Sequence, residues 1–198
     1  SYPDYIEDDG KYYLTETQKL DARVHEIPNN FLESLWNQFE ALDITDEGLL
    51  VESEEQSVVE MPKLPEFCVT DRKSPIFATK STENGITLEF IYKAGKRKRK
   101  IFDNLDSSQK GVLIEQISDY RINIYMNDGI NTSCWSSDKE VLKPDERNHI
   151  AIIIDGGPNI ISYIINGMYN DGKEDRIFGF GRFSRYFKDL NGKKKAYV

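Results

Sequence analysis

Hydrophobic and polar positions alternate with a period of two over much of the second half of the chain. Residues 86–92 alternate clearly, which is typical of a strand with one buried face, and residues 120–126 are expected to form another strand. Residues 149–154 and 160–165 are apolar at almost every position, so we expect two strands that are covered on both faces. Gly-Gly-Pro and Asn-Gly turns separate these runs. The pattern predicts a mainly β chain whose residues 61–198 form an antiparallel two-sheet β-sandwich.

The beginning of the chain predicts a smaller β-structure. Asp9-Gly10 lies between aromatic and β-branched runs, which is a strong signal for a tight hairpin. A further short strand over 22–27 extends the hairpin to a three-stranded meander within residues 1–27. Three short strands bury little surface by themselves, so we expect this meander to pack on another part of the protein.

Residues 28–60 predict a helix followed by an acidic connector. Asn30 is the expected N-cap, and Glu33 stands three residues later as in a capping box. The apolar positions that follow form one stripe at helical spacing: Phe31, Leu32, Leu35, Trp36, Phe39 and Leu42. We therefore interpret Trp36 as a packing residue. The acidic residues beyond Leu42 are interpreted as a solvated charged face, with a dedicated acidic binding tail as the alternative.

Charge and composition narrow the function classes. The 198 residues include 26 Lys and Arg against 34 Asp and Glu, a net charge of −8, which argues against general nucleic-acid or membrane-surface binding. No stretch approaches the ~20 apolar residues of a membrane-spanning helix. Cys68 and Cys134 permit one disulfide, although two unpaired thiols are the favoured interpretation. The chain begins without Met or a signal peptide, so we expect it to be part of a longer protein.

A run of strands and turns near the end of the chain resembles a known fold. It comprises Asp155 to Gly167, Asp171-Gly172 and Phe178 to Phe183, and it is similar to the late strands of laminin-G-like, concanavalin A-like jelly rolls. The resemblance extends from about Met61 to the C-terminus, with Pro75-Ile76-Phe77 as an earlier strand. It implies a jelly-roll sandwich in which Ala196 to Val198 is the closing strand, unless the module is cut short.

The N-terminal segment resembles a different fold. Tyr2 to Ile6 and Asp9 to Leu14 are similar to the inner strands of one blade in the β-propeller glycosidases of bacteria. The resemblance covers only about residues 1–27. It implies a sugar-processing parent protein that is secreted, periplasmic or on the cell surface, with a propeller domain as the partner of the jelly roll.

Candidate catalytic residues follow from this second resemblance. Glycoside hydrolysis requires two carboxyl groups that face one cleft. The propeller resemblance suggests Asp4 and Glu16 as such a pair. The alternative is that both are solvated surface carboxylates, as most Asp and Glu side chains are.

A sugar-binding sandwich would use aromatic side chains and hydrogen-bonding groups. Trp135 is the best candidate, followed by Tyr125 and Tyr169. The alternative for all three is packing within or beside the core.

No cofactor is firmly implied, and calcium is the candidate. Its ligands would be oxygen atoms that converge from loops. Four residues in predicted turns could supply them: Asp103, Asn104, Asp128 and Asp171. The alternative is that each of them stabilises its own turn.

The basic run from Lys96 to Lys100 is open to two interpretations. It has the composition of a nucleic-acid patch, but beside a strand and a turn it is better interpreted as a charged edge that prevents sheet-to-sheet aggregation. We therefore expect no nucleic-acid partner.

Three hypotheses for function remain after the sequence alone. The first is a non-catalytic carbohydrate-associated module that binds glycan or braces a catalytic propeller. The second is that this segment supplies part of a glycoside hydrolase active site, with no activity expected of the isolated chain. The third is a laminin-G-like protein-interaction module.

Overall fold

The protein is described by a computed structural model, which divides into two compact units, Ser1–Ile44 and Thr45–Val198. The described residues are 4–17, 22–37, 48–53, 58–67, 85–173 and 176–198. The predicted strand at Pro75-Ile76-Phe77 and the thiol of Cys68 lie outside these residues. The division into segments 1–27, 28–60 and 61–198 stays a prediction.

The first unit contains a three-stranded antiparallel meander and one helix. The elements are β1 (Asp4–Asp8), β2 (Lys11–Thr17), β3 (Ala22–Ile27) and α1 (Asn29–Trp36). The predicted hairpin is confirmed, because Asp8 pairs with Lys11 and the two residues between them form the turn. Asp9 and Gly10 both have positive φ, 49° and 74°, as the favoured two-residue hairpin turns with Asp-Gly require.

The helix begins earlier than the sequence predicts. Pro28 is the N-cap of α1, its carbonyl oxygen accepts the N–H of Phe31, and no side chain caps the helix. The predicted N-cap at Asn30 is therefore wrong. Asn29 instead donates a hydrogen bond from its side chain to the carbonyl oxygen of Gly10 at 3.3 Å, which ties the start of the helix to the hairpin turn.

Packing of the helix follows only part of the predicted stripe. Leu32 is buried, and the ring of Trp36 meets the ring of Tyr12 edge-on with centroids 6.1 Å apart. Phe31 and Leu35 are exposed. Phe39 and Leu42 lie outside the described residues.

The second unit is an antiparallel sandwich, as predicted. Its strands are β4 (Val58–Glu60), β5 (Gly85–Lys93), β6 (Arg99–Asp103), β7 (Gly111–Ile117), β8 (Arg121–Asn127), β9 (Thr132–Ser136), β10 (Arg147–Asp155), β11 (Ile160–Ile165), β12 (Met168–Tyr169), β13 (Phe180–Arg182) and β14 (Lys195–Tyr197). The five-stranded sheet has the order β12-β11-β10-β5, with β13 also paired to β11. The six-stranded sheet has the order β4-β14-β6-β7-β8-β9.

The core lies between the two sheets. Ile122, Ile124 and Met126 of β8 are fully buried and belong to the same hydrophobic cluster as Ile152 and Tyr163 of the opposite sheet. The strand predicted for residues 120–126 is therefore confirmed. Along β8 the residues between these core positions face outward, which gives the strand one apolar and one polar side.

The central strands of the five-stranded sheet differ from the prediction in one respect. The core side of β10 is fully buried, whereas Ile153 on its outer side and Ile164 on the outer side of β11 are only half-buried. Each strand is therefore fully covered on one face, not on two. Residues 195–197 form the strand β14, which lies between β4 and β6 and is therefore an inner strand of the six-stranded sheet. No helix in the described part of the chain is long and apolar enough to cross a bilayer.

Candidate functional site

A cleft of about 450 Å³ opens beside β9, the edge strand of the six-stranded sheet. We call it the β9 cleft. Its lining residues are Arg121, Cys134, Trp135, Ser136, Ser137, Asp138, Lys139 and Arg176. They come from the start of β8, from β9 and the segment after it, and from the chain that precedes β13.

The register of β8 and β9 decides which side chains face which way. Ile124 is directly opposite Trp135, so both point towards the core side of the sheet. Asn123 is opposite Ser136 and accepts a hydrogen bond from its hydroxyl at 2.9 Å on the outer side. Cys134 also faces outward, is exposed and forms no disulfide within the described residues. The edge strand therefore offers the cleft an indole from one side and polar groups from the other.

The indole of Trp135 is held by its surroundings. A Cβ added at Gly181 would lie 2.5 Å from Cγ of Trp135, so the glycine packs directly against the indole. The Arg176 guanidinium lies 4.6 Å from the ring centroid, a cation–π contact. The hydroxyl of Tyr163 donates to the carbonyl oxygen of Trp135 at 2.6 Å. The indole Nε1–H is buried and has no hydrogen-bond partner in the described part of the chain.

Arg176 is held in place by two further contacts. It forms an ion pair with Asp138, and its Nη1 donates to the carbonyl oxygen of Ser136 at 2.9 Å. Burial, and to a lesser extent the positive charge of Arg121, lower the pKa of the Arg176 guanidinium. Arginine still stays protonated in proteins, so two like charges are close together in a partly dehydrated cleft.

Arg121 is the second cation of the cleft, and its pairing is incomplete. Its Nε–H is buried and has no hydrogen-bond partner among the described residues, and its Nη2 is 4.0 Å from the carboxylate of Asp119. Buried donors without an acceptor are rare in folded proteins, because each loses its hydration without compensation. Both unpartnered donors, Arg121 Nε and Trp135 Nε1, belong to residues that line this cleft. The arrangement suits a ligand that brings oxygen acceptors, and a negative charge in particular.

The structure does not bring the three predicted sugar-binding aromatics together. Trp135 points to the core side of β9, whereas Tyr125 is opposite Cys134 and faces outward. Tyr169 lies on β12 of the other sheet and is 49% exposed. A shared aromatic platform is therefore absent, and a separate role for each residue stays a prediction.

Asp4 and Glu16 lie on opposite faces of the meander. Asp4 is directly opposite Thr15, so these two share a face, and the neighbouring Glu16 points to the other. Glu16 is 3.5 Å from Nη1 of Arg23 and 3.7 Å from Nε2 of His25. The two carboxylates therefore do not flank one cleft within this sheet. A catalytic role for either of them stays a prediction.

The four candidate calcium ligands are occupied in their own turns. Asp103 accepts from the N–H of Leu105, and the Asp171 carboxylate accepts from the N–H of Lys173. Asn104 is buried, and its side-chain oxygen accepts from the N–H of Val112 at 2.6 Å. The described residues contain no group of three or more His, Cys, Asp or Glu side chains suited to a metal ion.

Asp128 is the clearest of these turn residues. One carboxylate oxygen accepts from the N–H groups of Ile130 and Asn131, and the other accepts from the N–H of Lys188 at 2.8 Å. Burial by itself would raise the pKa of Asp128, but these N–H donors lower it below its ordinary value. The carboxylate therefore stabilises its own turn, in line with the alternative interpretation, and also ties that turn to the distant segment around Lys188.

Sequence reasoning missed three residues of the β9 cleft: Arg121, Asp138 and Arg176. The alternation of residues 120–126 did contain a signal for Arg121, because it places that arginine on the outer side at the start of β8. The pairing of Asp138 with Arg176 has no such signal, since 38 residues separate them.

Comparisons with known proteins give few matches. No family model matches the sequence, and no curated protein matches it. The solved structures similar to it include the Ruminococcus gnavus IT-sialidase CBM40 bound to α2,3-sialyllactose and the same CBM40 bound to α2,6-sialyllactose. For the first, the identity is 12% and the TM-score 0.44, over 72% of this chain and 77% of that chain. For the second, the identity is 13% and the TM-score 0.44, over 73% and 78%.

Proposed function

We propose that the chain is a non-catalytic carbohydrate-binding module that holds an acidic sugar residue in the β9 cleft. The observation that carries this proposal is the pair of buried donors without acceptors, Arg121 Nε and Trp135 Nε1. A ligand oxygen that reaches either donor would satisfy it, and hydrogen bonds to a charged group contribute ~1.5–3 kcal/mol.

Charge and size both favour an acidic sugar. The cleft contains two guanidinium groups, and Asp138 pairs with only one of them, Arg176. Its volume of about 450 Å³ lies in the range of small-ligand sites. Gly181 and Arg176 cover the indole, so the polar groups of the cleft, and not stacking on an aromatic ring, would hold the sugar.

The wider setting of the module is part of the same proposal. We place it in a secreted sugar-processing protein in which a propeller domain carries out the chemistry. The hydrolase alternative, with Asp4 or Glu16 in the active site, and the laminin-G-like alternative remain hypotheses without a specific structural observation in their favour.

Calorimetric titration with matched acidic and neutral sugars tests the proposal. α2,3-Sialyllactose and a glucuronate-terminated oligosaccharide are the acidic probes, and lactose and the glucose-terminated counterpart are the neutral ones. We expect binding of at least one acidic probe and at least tenfold weaker binding of its neutral counterpart. Equal affinity for acidic and neutral probes, or no binding of either acidic probe, would overturn the proposal.

Two variants and one control assign the binding to the cleft. Arg121→Ala should lower the affinity at least tenfold, and Arg121→Lys should restore only part of it, because lysine keeps the charge without the Nε donor. Arg147→Ala removes an exposed arginine from the five-stranded sheet and should leave the affinity unchanged. Full binding by Arg121→Ala would mean that the sugar binds elsewhere.

A further inference from the structure

A second cationic surface lies on the connection between the two sheets. The chain leaves β5 in the five-stranded sheet and enters β6 in the six-stranded sheet through residues 94–98. Lys96, Arg97, Lys98 and Arg99 are all exposed, and none of them forms an ion pair with another described residue. We call these four residues the basic loop.

Two further cations lie beside the root of the basic loop. Lys93 at the end of β5 is directly opposite Arg147 on β10, and both are exposed. Like charges directly opposite each other destabilise an antiparallel pair. Neither residue has a carboxylate partner within the described part of the chain. The structure thus places six cations at one end of the sandwich, none of which has an ion-pair partner among the described residues, in a chain with a net charge of −8.

The root of the loop is rigidly held, although its side chains are exposed. The buried side chain of Gln116 accepts from the N–H of Gly95 at 3.2 Å and donates to its carbonyl oxygen at 2.6 Å. The same side-chain oxygen accepts from the hydroxyl of Tyr92 at 2.8 Å. Ala94 is buried, and its carbonyl oxygen accepts from the N–H of Asp145. The cations are therefore presented from a fixed base, which lowers the entropy cost of binding a ligand.

The surroundings of the loop limit what kind of anion fits. Glu115 lies opposite Lys100 on β7, and Asp145 and Glu146 occupy the neighbouring turn. These carboxylates border the basic loop, whose four residues span at most roughly 10 Å along the chain. A cationic surface of this size matches one polymer chain better than a broad bilayer surface or a duplex.

The nature of the side chains narrows the choice further. Single-stranded nucleic acids are bound by cations together with exposed aromatic rings, on which the bases stack. Residues 93–100 and 143–147 contain no aromatic side chain. The neighbouring Tyr92 is buried, and its hydroxyl is hydrogen-bonded to Gln116. We propose that the basic loop binds a sulfated polysaccharide through ionic contacts with its sulfate groups. The contact requires no aromatic platform and no neutral sugar recognition.

This site is distinct from the β9 cleft and does not depend on the function proposed for it. Arg99 is on β6 and Arg121 is on β8, so β7 separates them. Two inter-strand spacings amount to roughly 10 Å. Substitutions can therefore remove the cations of one site and leave those of the other in place.

Binding to heparin, measured as a function of salt concentration, tests the proposal. The chain offers a matched control, because Lys193, Lys194 and Lys195 form an equally exposed run of three cations elsewhere on the surface. The test variant is Lys96→Ser/Arg97→Ser/Lys98→Ser, and the control is Lys193→Ser/Lys194→Ser/Lys195→Ser. Both variants have the same net charge and keep the main chain intact.

We expect the unmodified chain to bind heparin and to lose affinity steeply with added salt. At about fivefold per cation, the loop variant should bind about a hundredfold more weakly, with a shallower salt dependence. The control variant should stay within about threefold of the unmodified chain, and fully desulfated heparin should not bind. Equal losses in the two triple variants, or equal binding of desulfated heparin, would overturn the proposal.

Other polyanions and the cleft variant complete the experiment. Single-stranded DNA, duplex DNA and vesicles rich in phosphatidylserine should each bind more weakly than heparin at the same salt concentration. Tighter binding of any of them would show that the class of polymer is wrong. Arg121→Ala should bind heparin like the unmodified chain. If Arg121→Ala loses heparin binding while the loop variant keeps it, heparin binds in the β9 cleft and the loop proposal fails.

Discussion

Removal of one hydroxyl group tests how the two sheets are joined at the candidate site. Tyr163 on β11 is fully buried, and its hydroxyl donates to the carbonyl oxygen of Trp135 on β9 at 2.6 Å. This hydrogen bond connects the five-stranded sheet to the edge strand that carries the β9 cleft. Tyr163→Phe keeps the ring and its packing and removes only the donor.

The magnitude follows from what the substitution leaves behind. Loss of the hydrogen bond costs ~0.5–1.5 kcal/mol net, and a buried carbonyl left without a donor costs ~1–3 kcal/mol. These two costs overlap, so we expect the free energy of unfolding to fall by about 2 kcal/mol. For a domain of this size that corresponds to a Tm lower by about 4–8 °C. Burial raises the pKa of Tyr163 well above its ordinary range, so the effect should be the same at pH 6 and pH 9.

Urea unfolding followed by tryptophan fluorescence measures this change in the second structural unit, Thr45–Val198. The chain has two tryptophans, and Trp36→Phe leaves Trp135 as the only reporter, within the sandwich. Tyr169→Phe is the control, since that tyrosine is 49% exposed and should change stability by less than about 0.5 kcal/mol. If Tyr163→Phe lowers stability no more than this control, with an unchanged m-value, the inter-sheet hydrogen bond does not stabilise the fold.

Three further predictions concern the same unit. Gly181→Ala places a Cβ 2.5 Å from Cγ of Trp135, so the indole must move. We expect the free energy of unfolding to fall by about 1–3 kcal/mol, the tryptophan emission maximum to shift and the acidic probe to bind more weakly. An unshifted emission spectrum would contradict the contact. Asp138→Ala leaves the partly buried Arg176 without its carboxylate partner, so we expect urea unfolding to show a free energy of unfolding lower by about 2–3 kcal/mol. The double variant with Arg176→Met should recover part of that stability. The pKa of Asp128 is lower in the folded chain than its unfolded value of about 3.9. Its ionised carboxylate therefore stabilises the folded state fully above pH 3.9, and this stabilisation is lost as the pH falls through the folded pKa. Unfolding measured between pH 5 and pH 2 should therefore show a smaller loss of stability for Asp128→Asn than for the unmodified chain, and equal losses would contradict this assignment.

The parts of the fold that the sequence predicts well are those set by local rules. The Asp9-Gly10 hairpin requires two residues with positive φ, and this dipeptide supplies them wherever it lies in a protein. The strand β8 follows from alternation, because each of its apolar residues needs a buried face. The helix start was predicted at Asn30, since the contact between Asn29 and Gly10 depends on the meander and is invisible in the helix sequence.

The site is less predictable because long-range contacts create it. Trp135 was chosen from the sequence as a platform for sugar stacking, but Gly181 packs against its indole and Arg176 lies over it. Asp138 and Arg176 meet only because the chain returns past β9 before it enters β13. The basic run was interpreted as a charged edge, and only Arg99 within the basic loop lies on a strand. In each case the residue type was visible in the sequence, and its neighbour was not.

The hydrogen bonds of Gln116 to Gly95 and Tyr92, which we call the Gln116 clamp, have a consequence for the evolution of this protein. Among the described residues, Gln116 forms hydrogen bonds to main-chain atoms of Gly95 and to the hydroxyl of Tyr92, and to no side chain at 96–99, although Arg99 is its direct partner across the sheet. These hydrogen bonds are therefore independent of which side chains the loop displays. Lineages can replace its cations by acidic, polar or aromatic residues with little effect on folding. We expect related chains to keep the clamp and to diverge at these four positions, so that one scaffold acquires different binding partners.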